Sequence, residues 1–305
     1  MKSTKTHLFP SFAVLLAAYN GAEWIEKQLK SILEQEKVDV TVFISLDISS
    51  DNTLQLIREC TEKNKSVILL PSIDRFGGAA KNFYRLFRDV ELESYDYIAL
   101  SDQDDIWLKE KLIAAHRCID DGGYSAYSSN AIAFWPNGRE TIINKSQPQR
   151  RYDYLFEAAG PGCTYVLSVD TALKFKKYLT KNWASVNDVA LHDWMIYAWV
   201  RSNSMSWFID NVPYIKYRQH ATNQVGANQG IKAIISRAKK LNEGWYKKEI
   251  KKIWCLVAPN IKEISPSLFD GDRIPLLFLV RNISQMRRRL RDRIILFTLL
   301  FLGRY

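Results

Sequence analysis

The feature that most constrains this chain is an alternation in its first hundred residues. Short apolar, β-branched runs at 12–18, 40–46, 67–70 and 95–101 are separated by amphipathic helical segments at 22–35, 52–63 and 79–88. A βαβα order of this kind predicts an α/β fold, with a mostly parallel sheet flanked by helices. In such sheets ligands bind where the loops gather, at the carboxyl ends of the strands. Three polar groups fall at those ends: Tyr19-Asn20-Gly21, Asp47, and the segment Ser101-Asp-Gln-Asp-Asp-Ile-Trp107. Beyond residue 124 the pattern changes. Strand-like stretches at 124–135 and 163–168 precede a helix at 189–200, and 205–209 with 213–218 reads as a hairpin or paired strands joined near Asp210-Asn211.

The acidic segment carries the sharpest chemistry. Three carboxylates within four positions repel one another, and a hard cation such as Mn²⁺ or Mg²⁺ removes that repulsion. In an extended segment Asp102 and Asp104 point to one side and Gln103 to the other. An isolated D-x-D also fits a helix start, with Asp104 or Asp105 as N-cap of a helix near Lys109. Its place after a fourth parallel strand argues for the metal. Asp47 could accept a hydrogen bond from the N3–H of a uracil or thymine ring, whereas Asp51 reads as an N-cap. Asp193, at a helix start among Trp194, Tyr197 and Trp199, has surroundings that raise a carboxyl pKa toward that of a general base. First-turn compensation of the helix dipole is the alternative role. His220 offers an imidazole to a metal or a diphosphate, and a structural role suits it equally.

Charge divides the chain. Residues 232–305 hold 17 Lys plus Arg against 6 Asp plus Glu, while the first 231 hold 26 against 27. A partition follows: a catalytic body, 1–230, and a basic helical C-terminal extension, 231–305. The extension is apolar in patches, at 275–280 and 294–302, around the basic run 287–293. That mixture suits an anionic membrane surface, through an interfacial amphipathic helix, better than nucleic acid. Packing of its apolar face on the body is the competing expectation. Four dispersed cysteines and a polar, basic start without a signal-like apolar run lead to a cytoplasmic expectation. No G-x-G-x-x-G or G-x-x-x-x-G-K-[ST] occurs, which argues against a Rossmann dehydrogenase or a P-loop enzyme.

Taken together, the segments Ala17-Ala-Tyr-Asn-Gly21, Asp47 with Asp51-Asn-Thr53, Gly77-Gly78 with Lys81-Asn82, and 101–107 resemble the family-2 glycosyltransferases of GT-A fold. The likeness continues through Gly162-Cys-Thr164, His192-Asp-Trp194 and Tyr217-Arg-Gln-His220. The subgroup most resembled is the bacterial rhamnosyltransferases of O-antigen and capsule assembly. The resemblance implies that Ala18, Tyr19, Asn20 and Asp47 hold the base of a nucleotide-sugar donor, with Lys81 and Asn82 near it. It further implies Asp102 on ribose and metal, Asp104 on the metal, and Asp193 as catalytic base in an inverting transfer to a lipid-linked oligosaccharide at the inner membrane. dTDP-rhamnose is the donor the likeness favours; UDP-hexose or UDP-N-acetylhexosamine fits the same frame. One departure stands out: the family usually has a second acidic residue directly after Asp47, where this chain has Ile48.

Overall fold

The protein is described by a computed structural model covering residues 8–71, 75–220, 244–261 and 276–301, with Leu300 and Phe301 described by their backbone alone. The first strand, β1 (Ser11–Ala18), is buried along its whole length, and its side chains alternate between two cores. Ala13, Leu15 and Ala17 face one core; Phe12, Val14, Leu16 and Ala18 face the other. A strand covered on both faces needs a continuous apolar run, so the sequence lacks the alternation of a half-exposed strand.

On one face lie α1 (Ile25–Leu33), α2 (Thr53–Lys63) and, further along the chain, α4 (Lys111–Gly122), through Leu29, Ile57 and Leu112 among others. The opposite face carries α3 (Ala79–Asp89), α5 (Val169–Lys181) and α7 (His192–Ser202), with α6 (Trp183–Asn187) between the last two. The main sheet runs β10-β6-β9-β4-β1-β2-β3, with β2 (Asp39–Leu46), β3 (Val67–Leu69), β4 (Tyr97–Asp102), β6 (Ala126–Ser129), β9 (Val166–Ser168) and β10 (Trp207–Asp210). Every neighbouring pair is parallel except those made by β9, which is antiparallel to both β4 and β6. The expected mostly parallel sheet flanked by helices is therefore present.

Two expectations change. The single strand expected over 124–135 divides at Asn130 into β6 and β7 (Ala131–Phe134), and β7 belongs to a second sheet of order β5-β11-β7-β8. Its other members are β5 (Ile106–Trp107), β8 (Glu140–Ile143) and β11 (Ile215–Arg218). The expected pairing of 205–209 with 213–218 does not occur. Instead β10 pairs with β6 in the main sheet and β11 with β7 in the second. The turn at Asp210 is real, since its Oδ1 accepts Val212 N at 3.0 Å, but it redirects the chain from one sheet to the other. Asn130 fixes the parallel transfer: its amide donates to Asn211 O (3.0 Å) and its Oδ1 accepts Lys145 N (2.6 Å).

The boundary expected at residue 230 lies outside the described residues. Within the extension, α8 (Trp245–Val257) buries Ile250, Ile253, Trp254 and Val257 in the core shared with α3, α5 and α7. Leu279 of α9 (Leu276–Asn282), Met286, and Leu296 of α10 (Leu290–Phe301) reach the same core. The helical C-terminal segment thus packs one side on the body. Among the described residues no helix is long and apolar enough to cross a membrane.

Candidate active site

The site begins with a pairing between residues more than a hundred positions apart. β5 lies antiparallel to β11, with Ile215 opposite Trp107 and Lys216 opposite Ile106. This brings the acidic loop after β4 against the end of β11. Arg218 N donates to Asp105 Oδ1 (3.1 Å) and Arg218 Nε to Asp104 O (2.7 Å), while His220 Nε2 meets Asp104 Oδ2 at 2.7 Å. The His220 ring stacks on Trp24, with centroids 4.3 Å apart, so the imidazole is held in place from behind.

The helix start considered for Asp104 or Asp105 is absent; β5 intervenes, and α4 begins at Lys111. Asp105 is 1% exposed, and its Oδ2 is buried beside the Cys163 thiol. One carboxylate oxygen each from Asp102 and Asp105 lies within 4.8 Å of the other and of Cys163 Sγ. Burial and then the Asp104 charge push the Asp102 carboxyl up to about 7, and the same two causes raise Asp105. Lys111, also fully buried, sets its Nζ 3.6 Å over the Trp107 ring, and burial draws it down to about 7. Its weakened charge leaves the acidic loop under-compensated. Hard oxygen donors at this density, with one imidazole at the edge, fit a divalent cation of the Mn²⁺ or Mg²⁺ kind. Asp105 belongs to the expected acidic segment, although Asp102 and Asp104 were the expected ligands; Cys163 and Lys111 were not among the expected site residues, and only the fold brings them there.

The loops after β1 and β2 are tied to this cluster. Gln103 clamps the first of them: its Oε1 accepts Tyr19 N and its Nε2 donates to Tyr19 O, both at 2.7 Å. The Tyr19 ring stays nearly half exposed above that clamp. A Cβ at Gly21 would fall 2.2 Å from Gln103 Oε1, so any larger residue there must push the Gln103 amide off its clamp. Asn20 adopts φ 45°, and its Oδ1 accepts Ser50 N at 2.8 Å. Asp51 accepts Ala22 N (3.0 Å) and Thr53 N (3.1 Å), a structural role as expected, although the cap position of α2 itself falls to Asn52. Ala18 ends β1 with its carbonyl accepting Asp47 N at 2.8 Å.

Asp47 departs from expectation. Its Oδ1 accepts Ile48 N (2.8 Å) and Phe76 N (3.0 Å), and its Oδ2 accepts Gly77 N (2.9 Å). The carboxylate is buried and engaged with backbone amides, so it shapes the 75–77 loop; it does not present a bare acceptor to a base. Gly77, at φ 75°, permits that loop. Asn82 lies beneath the site: it is buried, and its Nδ2 donates to Ser45 O at 2.9 Å, bracing the end of β2. Lys81 is exposed on α3 and lines a cleft of about 240 Å³ with Arg75, Phe76, Arg85, Arg88 and Trp183.

Asp193 comes to the cluster from the other core. It stands in the first turn of α7, half-buried, with Oδ1 accepting Trp194 N at 2.8 Å. Burial lifts its carboxyl from the ordinary 3.8 to about 6, with Lys145 pulling the other way. Its charge in turn contributes to the elevation of Asp102, which places the two within electrostatic reach. The neighbouring His192 stacks on Phe83 at 4.0 Å and is driven down to about 3 by burial, so it is neutral. A Cβ at Gly162 would lie 2.4 Å from His192 Nε2 and 3.3 Å from Asp193 Cβ. Only glycine lets that loop pass beneath the carboxylate. With a divalent cation held on the carboxylates the site could neutralise a leaving anion at one end, and the Asp193 carboxylate could accept a proton at the other.

Comparison with known proteins bears on the family and the fold. The profile described as Glycosyl transferase family 2 matches residues 13–179. A dTDP-rhamnosyl transferase of Shigella flexneri is 46% identical over 289 residues, covering 94% of this chain and 99% of that protein. An Escherichia coli UDP-Glc:alpha-D-GlcNAc-diphosphoundecaprenol beta-1,3-glucosyltransferase is 26% identical over 168 residues, or 53% of this chain and 61% of that one. Among solved structures, S. aureus TarS 1-349 in complex with UDP superposes with a TM-score of 0.56 at 17% identity, over 90% of this chain and 72% of that chain. At that identity the likeness speaks for the fold alone, which is of GT-A type.

Proposed function

The chain belongs to glycosyl transferase family 2, and from that premise we propose that it moves rhamnose from dTDP-rhamnose to a lipid-linked oligosaccharide with inversion at the anomeric carbon. The observation that carries this reading is that Gly162 lies against Asp193 while the next residue, Cys163, lies against Asp102 and Asp105, which sets Asp193 beside the acidic cluster. The name of the Shigella relative supports the nucleotide and sugar, and that of the E. coli relative supports a diphosphate-lipid acceptor in cell-surface polysaccharide assembly such as O-antigen or capsule. An acceptor of that kind implies work at the cytoplasmic face of the inner membrane, with 231–305 as an extension docked on the 1–230 body.

In this reading Asp102 and Asp104, with His220, hold Mn²⁺ or Mg²⁺, and Asp105 lies within reach of the same ion. When bound, the cation supplies Lewis-acid neutralisation of the departing diphosphate. Ala18, Tyr19 and Asn20 line the base and ribose side, and the Asp47-braced loop carrying Phe76 closes it, with Lys81 at the rim. Asp193 accepts the proton of the acceptor hydroxyl as that oxygen attacks the anomeric carbon from the face opposite the diphosphate. The carbon–oxygen bond to the diphosphate breaks as the new glycosidic bond forms.

Calorimetric titration with dTDP and UDP, with and without Mn²⁺, tests the donor half. Metal-dependent binding of dTDP that Asp104→Ala abolishes is the expected result. Tighter binding of UDP would move the donor to a UDP-sugar, and no binding of either nucleotide would overturn the reading.

A further inference from the structure

Large apolar side chains lie exposed on the two last described helices. Leu276, Leu277 and Val280 of α9 are each more than half exposed. On α10, Leu290 (65% exposed), Ile294 (59%) and Phe297 (51%) stand at i, i+4 and i+7 and form one stripe. At 100° per residue Arg291 and Arg293 flank that stripe on its two sides, and Leu296, 2% exposed, is turned about 130° away from it into the core. Residues 276–301 carry six arginines against the single acid Asp292.

The helix is not free to turn this stripe inward. Arg288, 3% exposed just before α10, is bonded deep in the body. Its backbone N donates to Glu157 Oε1 (2.7 Å), its Nη2 to Ala158 O (2.6 Å) and its Nη1 to Asp153 Oδ2 (3.3 Å). Tyr197, on the helix that carries Asp193, donates its hydroxyl to the same Asp153 at 3.1 Å. The outward face of α10 is therefore held in a set orientation on the catalytic body.

We propose that the outer face of α9 and α10 is a docking surface for an anionic phospholipid bilayer, on which α10 lies in the interfacial plane. This deepens, and rests on, the reading of the acceptor as lipid-linked. The twelve residues of α10 span about 18 Å, short of the ~30 Å hydrocarbon core, so the helix lies on the membrane and does not cross it. An apolar stripe edged by arginine matches the two layers it would meet, acyl chains below and phosphate headgroups beside. A second copy of this chain is a poorer occupant, because it would set one arginine-rich face against another.

Vesicle flotation with the full chain, without donor or acceptor, tests the proposal independently of transfer. The chain is expected to float with vesicles of phosphatidylcholine plus phosphatidylglycerol and to bind phosphatidylcholine alone at least tenfold more weakly. Ile294→Glu/Phe297→Glu should reduce partitioning more than tenfold while metal-dependent dTDP binding stays at the wild-type level, which certifies the fold. The proposal is overturned if the variant floats like wild type, if vesicle charge makes no difference, or if the wild type elutes as a dimer that the double substitution dissolves. Failure of dTDP binding with intact flotation would count against the donor assignment and leave the docking surface standing.

Discussion

Asp193→Asn separates catalysis from stability in opposite directions. In the folded protein burial raises the Asp193 carboxyl from 3.8 to about 6. The folded state therefore binds this proton more tightly than the unfolded chain does. Below pH 3.8 both states hold it and there is no penalty; as pH rises from 3.8 to 6 stability falls, and above 6 the full cost applies. Two pKa units correspond to about 3 kcal/mol, and partial exposure of the group lowers that to roughly 1.5–3 kcal/mol. Asparagine keeps the shape and an oxygen to accept Trp194 N–H, but removes the charge. With an unfolding entropy of about 2.1 cal/mol/K per residue, the variant should gain roughly 2–5 °C in Tm at pH 8. Near pH 5 the gain should shrink by about half, because wild-type Asp193 is then mostly protonated when folded. Transfer should fall by about 10²–10⁴, and wild-type kcat/KM should decline as pH drops through about 6. Differential scanning at pH 5 and pH 8, beside a radiolabelled-sugar transfer assay, reads all of this. A variant that loses Tm at both pH values, or that keeps transfer within tenfold of wild type, would refute the reasoning.

Two further substitutions address how the site is held. Gly21→Ala should displace Gln103 and weaken metal-dependent dTDP binding at least tenfold by calorimetry, and adding Gln103→Ala should cause little further loss, because both changes break the same clamp on Tyr19. Arg288→Met should leave Glu157 without its cation and Asp153 with Arg201 alone, at a cost of about 3 kcal/mol or roughly 5 °C in Tm, readable by the same calorimetric scan.

The legible part of the molecule was its periodicity. The strands β1 to β4 and helices α1 to α3 follow from apolar runs of strand length alternating with amphipathic segments, both local properties of the chain. The acidic cluster was legible too, because three carboxylates in four residues have few structural uses. Asp193 could be named through the family resemblance; its sequential apolar neighbours on α7 allowed the role of a base but suited helix-dipole compensation as well. The strand exchanges at Asn130 and Asp210 were not legible. A turn signal says that the chain bends; it does not say which sheet the next strand joins, and β7 and β11 have no local preference between the two.

Composition and pattern thus determined by themselves an α/β fold, its ligand-bearing edge, the basic extension and the acid-rich loop. Tertiary structure alone decided that β11 meets β5, so that His220 faces Asp104 across more than a hundred residues of chain, and that Asp105 and Cys163 lie buried beside Asp102. It also decided that Asp47 spends its oxygens on the 75–77 loop and that Arg288 binds the extension to Asp153 and Glu157 of the body. These are pairings between distant segments, whose energies depend on burial and on which partner arrives, and neither quantity is a property of a local stretch of residues.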